Sequence, residues 1–277
     1  MNQPHLKRIT WFFIAVILYV LILAYYFTGA FREPHDYYKL GPDGMEHTCI
    51  IQWGLSNLNR TADFAITEAP IYYPCPHGRF YSEHLFGHLV FAWPLSFFIK
   101  SPVSLLAALY MLNLFIIGIA TYLLCLELTR SPTAALINGA FLMIGNNFIQ
   151  FNDTTFGWGI LVIFFFIRHF KAQKWSDIVG LVICGIFAGL GSLYTCLYTP
   201  VAIFILLTTH LVYLRVVPSR KWFLQMIVAF VFLSAVLSPT MLMYKKVQDE
   251  FTFRRTNYCG DVCVNHWWFN RKPEIGP

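Results

Sequence analysis

The sequence predicts an all-α fold: a polytopic transmembrane helix bundle whose first outer-face loop contains juxtamembrane helices. Three observations lead there. Of 277 residues, 57% are hydrophobic and only 12% are charged, with a mean hydropathy of +0.55, which is too apolar for an ordinary soluble domain. Uncharged runs at residues 9–27, 103–126 and 222–243 each supply enough residues to cross roughly 30 Å of hydrocarbon at about 1.5 Å per residue. Lys and Arg gather in short connections, where they mark the cytoplasmic side.

In chain order, the run at 9–27 is too long for the apolar core of a signal peptide. No small-residue cleavage site follows it, so it reads as an anchor that stays. The piece at 85–99 is only fifteen residues long, holds His88 and is interrupted by Trp93-Pro94. The run at 103–126 is a full span. Four shorter segments, 133–149, 156–170, 178–194 and 198–214, lie near the lower length limit and are accommodated by tilt and partner helices. The run at 222–243 is the last span.

Orientation follows from charge. Arg168, Lys171 and Lys174 form one basic cluster and Arg215, Arg220 and Lys221 another, while 150–155 and 195–197 carry no Lys or Arg and are expected outside. With Lys7 and Arg8 inside, parity gives seven crossings and makes 85–99 re-entrant or interfacial. An eighth crossing would violate one loop. The outer side then holds residues 28–102 and the tail from 243, which together with Asp153 contain twelve of the 14 acidic residues, leaving Glu127 and Asp177 on the cytoplasmic side. The membrane domain is residues 1–243, with its first outer loop at 28–84, and 244–277 form an outer-face tail.

The net charge of +6 is explained by membrane orientation, and no basic stripe with interleaved aromatics supports a nucleic-acid partner. No phosphate-binding loop, dinucleotide fingerprint or HExxH motif occurs, which argues against a nucleotide-driven pump, a redox carrier and a metalloprotease. Gly185 and Gly189 form a small-residue pair suited to close helix packing, and His210 is expected to hydrogen-bond within the bundle. Within the first loop, 46–58 can be drawn as a helix along the membrane surface with Cys49, Ile50 and Trp53 on its apolar face.

Several segments occur in an order that resembles the GT-C superfamily. Asp43-Gly44 opens the outer loop, and Ile71-Tyr72-Tyr73-Pro74 with Ser82-Glu83-His84 closes it. Ser101-Pro102-Val103, a long helix ending Leu126-Glu127-Leu128-Thr129, and Gly191-Ser192-Leu193-Tyr194-Thr195 follow. More narrowly, the chain is similar to bacterial multi-spanning glycosyltransferases that use polyprenyl-phosphate sugars. The resemblance implies a bacterial inner-membrane protein with its active loop on the periplasmic or extracellular side, and sugar transfer from the lipid carrier to an acceptor there. It also implies an essential carboxylate early in the loop, mapping onto Asp43, and a second near its end, mapping onto Glu83. Family members typically have more spans, so a pared-down or truncated member is the expectation. That departure keeps a second reading open, a non-catalytic membrane subunit of a larger assembly.

Read on physics alone, Asp43 between Pro42 and Gly44 is a turn former or helix cap, or else a general base or ligand of a divalent cation such as Mg or Mn. Glu83 and His84 either mark the membrane interface or form a partly desolvated site, which makes Asp43, Glu83 and His84 the metal candidates. Glu46 and His47 lie about one helical turn from Asp43. Arg79 offers a fork of donors to a lipid phosphate or to any headgroup. Asn147, Asn152, Asp153, Tyr194 and Tyr198 are of sugar-contacting types in the outer connections, where polar helix ends and interfacial tyrosines are also ordinary. The outer cysteines Cys49, Cys75, Cys259 and Cys263 suggest disulfides, with free thiols or a metal site through His266 as alternatives.

Overall fold

The computed structural model describes residues 3–32, 44–58, 78–81, 84–145, 154–212 and 218–251. Among the described residues the chain is all-helical: α1 Gln3–Arg32, α2 Gly44–Leu58, a 3₁₀ turn Gly78–Tyr81, α3 Phe86–Ser96, α4 Pro102–Thr129, α5 Pro132–Gly145, α6 Phe156–Ala172, α7 Trp175–Gly191, α8 Leu193–Val212 and α9 Arg220–Phe251. Three helices, Pro102–Thr129, Leu193–Val212 and Arg220–Asp249, are long and apolar enough to cross a membrane, which makes this a membrane-embedded protein.

Helix α4 is the spine. Ser101 caps it, its hydroxyl accepting from the Ser104 N–H at 3.4 Å, Pro102 occupies the first turn, and Arg130 ends it in the left-handed region. Helix α1 runs antiparallel to it, with Phe12 against Tyr122 and Tyr19 against Gly118. The Tyr19 hydroxyl donates to the Leu136 carbonyl at 2.9 Å, tying α1 to α5. Helix α6 follows the second half of α4 from Gly157, beside Ile117, to Lys171, whose ammonium meets Glu127 at 2.7 Å.

The later helices repeat this register. Gly180 of α7 faces Phe165 of α6, and Arg168 pairs with Asp177 at 3.2 Å. Helix α8 runs beside α6, with Thr199 at Gly159 and His210 against Phe170. His210 Nδ1 hydrogen-bonds the Leu206 carbonyl of its own helix. Helix α9 follows α7, with Leu233 seated on Gly185 and Leu237 on Gly189, the close contact expected of that glycine pair. The basic residues at the ends of α6 and the starts of α7 and α9 therefore share one end of the bundle with Arg130. Lys100, at the start of the 28-residue α4, stands about 40 Å away at the other end.

Three elements differ from the expected outline. Helix α3 continues through Pro94, which falls in its last turn, where a missing N–H costs one backbone bond. At 11 residues it is about 16 Å long, and it lies along the first half of α4 with His88 at Asn113. The break between α7 and α8 falls at Ser192, not at 195–197, because Gly191 ends α7 and the Ser192 hydroxyl accepts from the Tyr194 N–H at 3.2 Å. Helix α2 buries His47, Ile50, Ile51, Gly54 and Leu55 against α3 and α4, whereas Cys49 and Trp53 are only half-buried.

The glycine contacts differ in what they would meet. A Cβ on Gly157 would lie 2.8 Å from the Ile117 backbone nitrogen, whereas on Gly189 it would press on the movable tips of Leu237 at 2.6 and 2.8 Å. Gly157→Ala should therefore cost about 1–3 kcal/mol. Gly189→Ala should cost less and be partly relieved by Leu237→Ala. Thermal unfolding of the purified variants in detergent checks the ranking.

Candidate functional site

At the end of the bundle opposite the basic clusters, a layer of polar side chains is closed off from solvent. Its first member comes from the 3₁₀ turn: Arg79 is fully buried, lies with its guanidinium carbon 4.9 Å from the centre of the Phe86 ring, and donates from Nη2 to the Ile50 carbonyl at 2.9 Å. Gly54 makes this possible, since a Cβ there would come within 2.8 Å of Nη2. Among the described residues Arg79 Nε and Nη1 have no hydrogen-bond partner and no carboxylate neutralises the charge. Burial lowers its pKa to about 10, which leaves it a cation at neutral pH.

His84 follows between Phe80, Phe86 and Tyr244. Its Nε2 lies 3.2 Å from the Gly189 carbonyl and its Nδ1 2.9 Å from the Tyr244 hydroxyl. A carbonyl only accepts, so Nε2 carries the proton and Nδ1 accepts from the phenol. Burial, opposed by the Gly189 carbonyl and reinforced by the Arg79 charge, lowers the His84 pKa to about 4. Leu85 then turns the chain into α3 with φ of 52°, a left-handed conformation costing a side chain of this size about 1–2 kcal/mol, held by complete burial.

The layer continues through α3, α4, α6 and α8. Asn113 Nδ2 donates to His88 Nε2 at 2.9 Å and to Thr154 Oγ1 at 3.1 Å, and Thr155 and Thr195 share a hydroxyl bond of 2.6 Å. His47 of α2 and His84 are the electrostatic neighbours of His88. All of these side chains are buried. The site thus contains three imidazoles, a guanidinium, several hydroxyls and one amide, most of them hydrogen-bonded to one another or to the backbone.

Of the residues expected from sequence, Arg79, His84 and His47 meet here. Glu46 is half-buried beside His47 on α2. Tyr194 and Tyr198 do not join. They stack on each other at 6.4 Å, Tyr198 is 55% exposed and also stacks on Phe156, and both resemble interfacial aromatics. Asp43, Glu83, Asn147, Asn152, Asp153, Cys75, Cys259 and Cys263 lie outside the described residues. Cys49 is a free thiol and forms no disulfide. His88, Asn113 and Tyr244 were not expected as site members. An amide inside the uninterrupted apolar run of α4 was the available signal.

The described residues do not assemble a metal-ligand set: no group of three suitable side chains converges among them, and both His84 nitrogens are engaged. Comparison with protein-family models, with curated proteins and with solved structures finds no match to this chain.

Because His84 is neutral when folded and its pKa is lowered from 6.5 to about 4, protonation favours the unfolded chain. Its contribution to stability should be complete above pH 6.5 and fall away as the pH drops toward 4, by on the order of 3 kcal/mol across the window. Thermal unfolding between pH 7.5 and 5 should show this slope, and His84→Asn should lower the midpoint at pH 7.5 while flattening the slope.

Proposed function

We propose that this chain is a membrane glycosyltransferase of GT-C type, transferring a sugar from a polyprenyl-phosphate donor to an acceptor at the outer membrane face. The observation that carries the reading is Arg79, a buried cation with two unused donor nitrogens beside a membrane-embedded bundle. A guanidinium stripped of water needs an anion, and a phosphate held at the bilayer surface by an isoprenoid tail meets that need with bidentate geometry. Asp43, one residue before α2, takes the proton of the acceptor hydroxyl as that oxygen attacks the anomeric carbon. The bond from the anomeric carbon to the phosphate oxygen breaks, and the carrier leaves as its phosphate, with Arg79 stabilising the charge gained. Glu83 orients the acceptor.

A second reading, an accessory membrane subunit, is favoured by one specific feature. Both nitrogens of His84 are spent on protein partners, as suits a residue that braces a fold.

Replacing Asp43 with Asn keeps shape and removes the base, so transfer from a synthetic polyprenyl-phosphate sugar should fall by roughly a hundredfold or more with folding retained. Arg79→Lys keeps the charge but loses the fork, and should raise the KM for the donor by about tenfold. Failure of the intact chain to transfer sugar from such donors would leave the accessory reading standing.

A further inference from the structure

The opposite end of the bundle holds a separate feature that the transfer reading does not use. Between the start of α7 and the first two turns of α9 lies an open groove of about 440 Å³, lined by Trp175, Arg220, Lys221, Leu224, Gln225 and Val228. Its walls combine two cations with exposed apolar surface from Trp175, Leu224 and Val228. Gln225, only 3% exposed, contributes an amide whose oxygen and nitrogen both lack a hydrogen-bond partner among the described residues. An amide without partners in a dry setting costs about 1–3 kcal/mol, so its retention beside a groove calls for a ligand with polar atoms to match it.

The charge at this end is also unclaimed. Asp177 is held by Arg168 and Glu127 by Lys171, and neither Arg220 nor Lys221 pairs with a carboxylate among the described residues. Basic residues alone at a helix end would need no explanation beyond membrane orientation. Here they stand over an apolar groove with an unsatisfied buried amide, at the boundary where a membrane-crossing helix leaves the hydrocarbon.

We propose that this groove binds one anionic phospholipid of the leaflet at the basic end of the bundle. Arg220 and Lys221 take the headgroup phosphate, Gln225 hydrogen-bonds the glycerol or ester oxygens, and an acyl chain lies along Trp175, Leu224 and Val228. This is independent of the catalytic reading, since it concerns different residues at the other end of α9.

The test is native mass spectrometry of the full chain in detergent with dioleoylphosphatidylglycerol or dioleoylphosphatidylcholine. Phosphatidylglycerol should be retained roughly tenfold or more over phosphatidylcholine. Arg220→Ala with Lys221→Ala, both on the surface, should reduce its retention to the phosphatidylcholine level. Lys245→Ala with Lys246→Ala, the same charge change at the far end of α9, should leave it unchanged. Gln225→Leu keeps volume and both cations, and should lower retention at least roughly threefold with an unaltered size-exclusion profile. Equal retention of the two lipids, or wild-type retention by the Arg220 and Lys221 double variant, would overturn the site. Loss in that double variant but not in Gln225→Leu would overturn it in favour of diffuse surface attraction. Competition by inorganic phosphate at millimolar concentration would reassign the groove to a free anion.

Discussion

Lipid tails are as apolar as leucine, so helices in a bilayer gain little from hiding hydrophobic surface from each other and must hold by contact at short range. In this chain two of the close approaches are between main chains. Gly157 of α6 meets the backbone of α4 at Ile117, and Gly87 of α3 meets the backbone of α7 at Leu190 and Gly191. Each removes a side chain's thickness from between two helices. Together they bring the start of α3, the middle of α4, the start of α6 and the end of α7 to one level, and that level is where His88, Asn113, Thr154, Thr155 and Ser192 converge. The polar layer is thus a product of glycine placement.

Inside such a layer, hydrogen bonds gain strength from the low dielectric and unmet donors lose by the same factor. The Asn113 amide bridges an imidazole and a hydroxyl, and His84 uses both its nitrogens, so most of the layer is self-sufficient. Arg79 is the exception, with one of its donor nitrogens bonded and two without a partner among the described residues.

Much of this was legible in the sequence because apolar runs and basic clusters report directly on solvent and side. The helical elements were legible, as were the Gly185 and Gly189 contact and the shortness of α3. The start of α8 was not, because Gly191-Ser192 ends one helix and caps the next within two residues and leaves no loop to read. The buried stripe of α2 was displaced toward Ile51 and Leu55, because its partners α3 and α4, not the bilayer surface, decide which side is inside. Asn113 was hidden by the very hydrophobicity that identified its helix, and His84 with Tyr244 by distance along the chain. Convergence of residues this far apart follows from helix packing, which no local pattern records.

The bond between His84 and Tyr244 joins residues 160 positions apart. At a synthesis rate of about 5–20 residues per second, roughly 8–32 seconds separate the emergence of the two residues from the ribosome. Throughout that interval the segment around His84 lacks the phenol that completes its seat. The Phe80 ring likewise lacks its perpendicular neighbour Tyr244. Docking of α9 is therefore the step that completes the His84 seat, and a chain that stops before Tyr244 lacks both the phenol bond and the edge contact to Phe80.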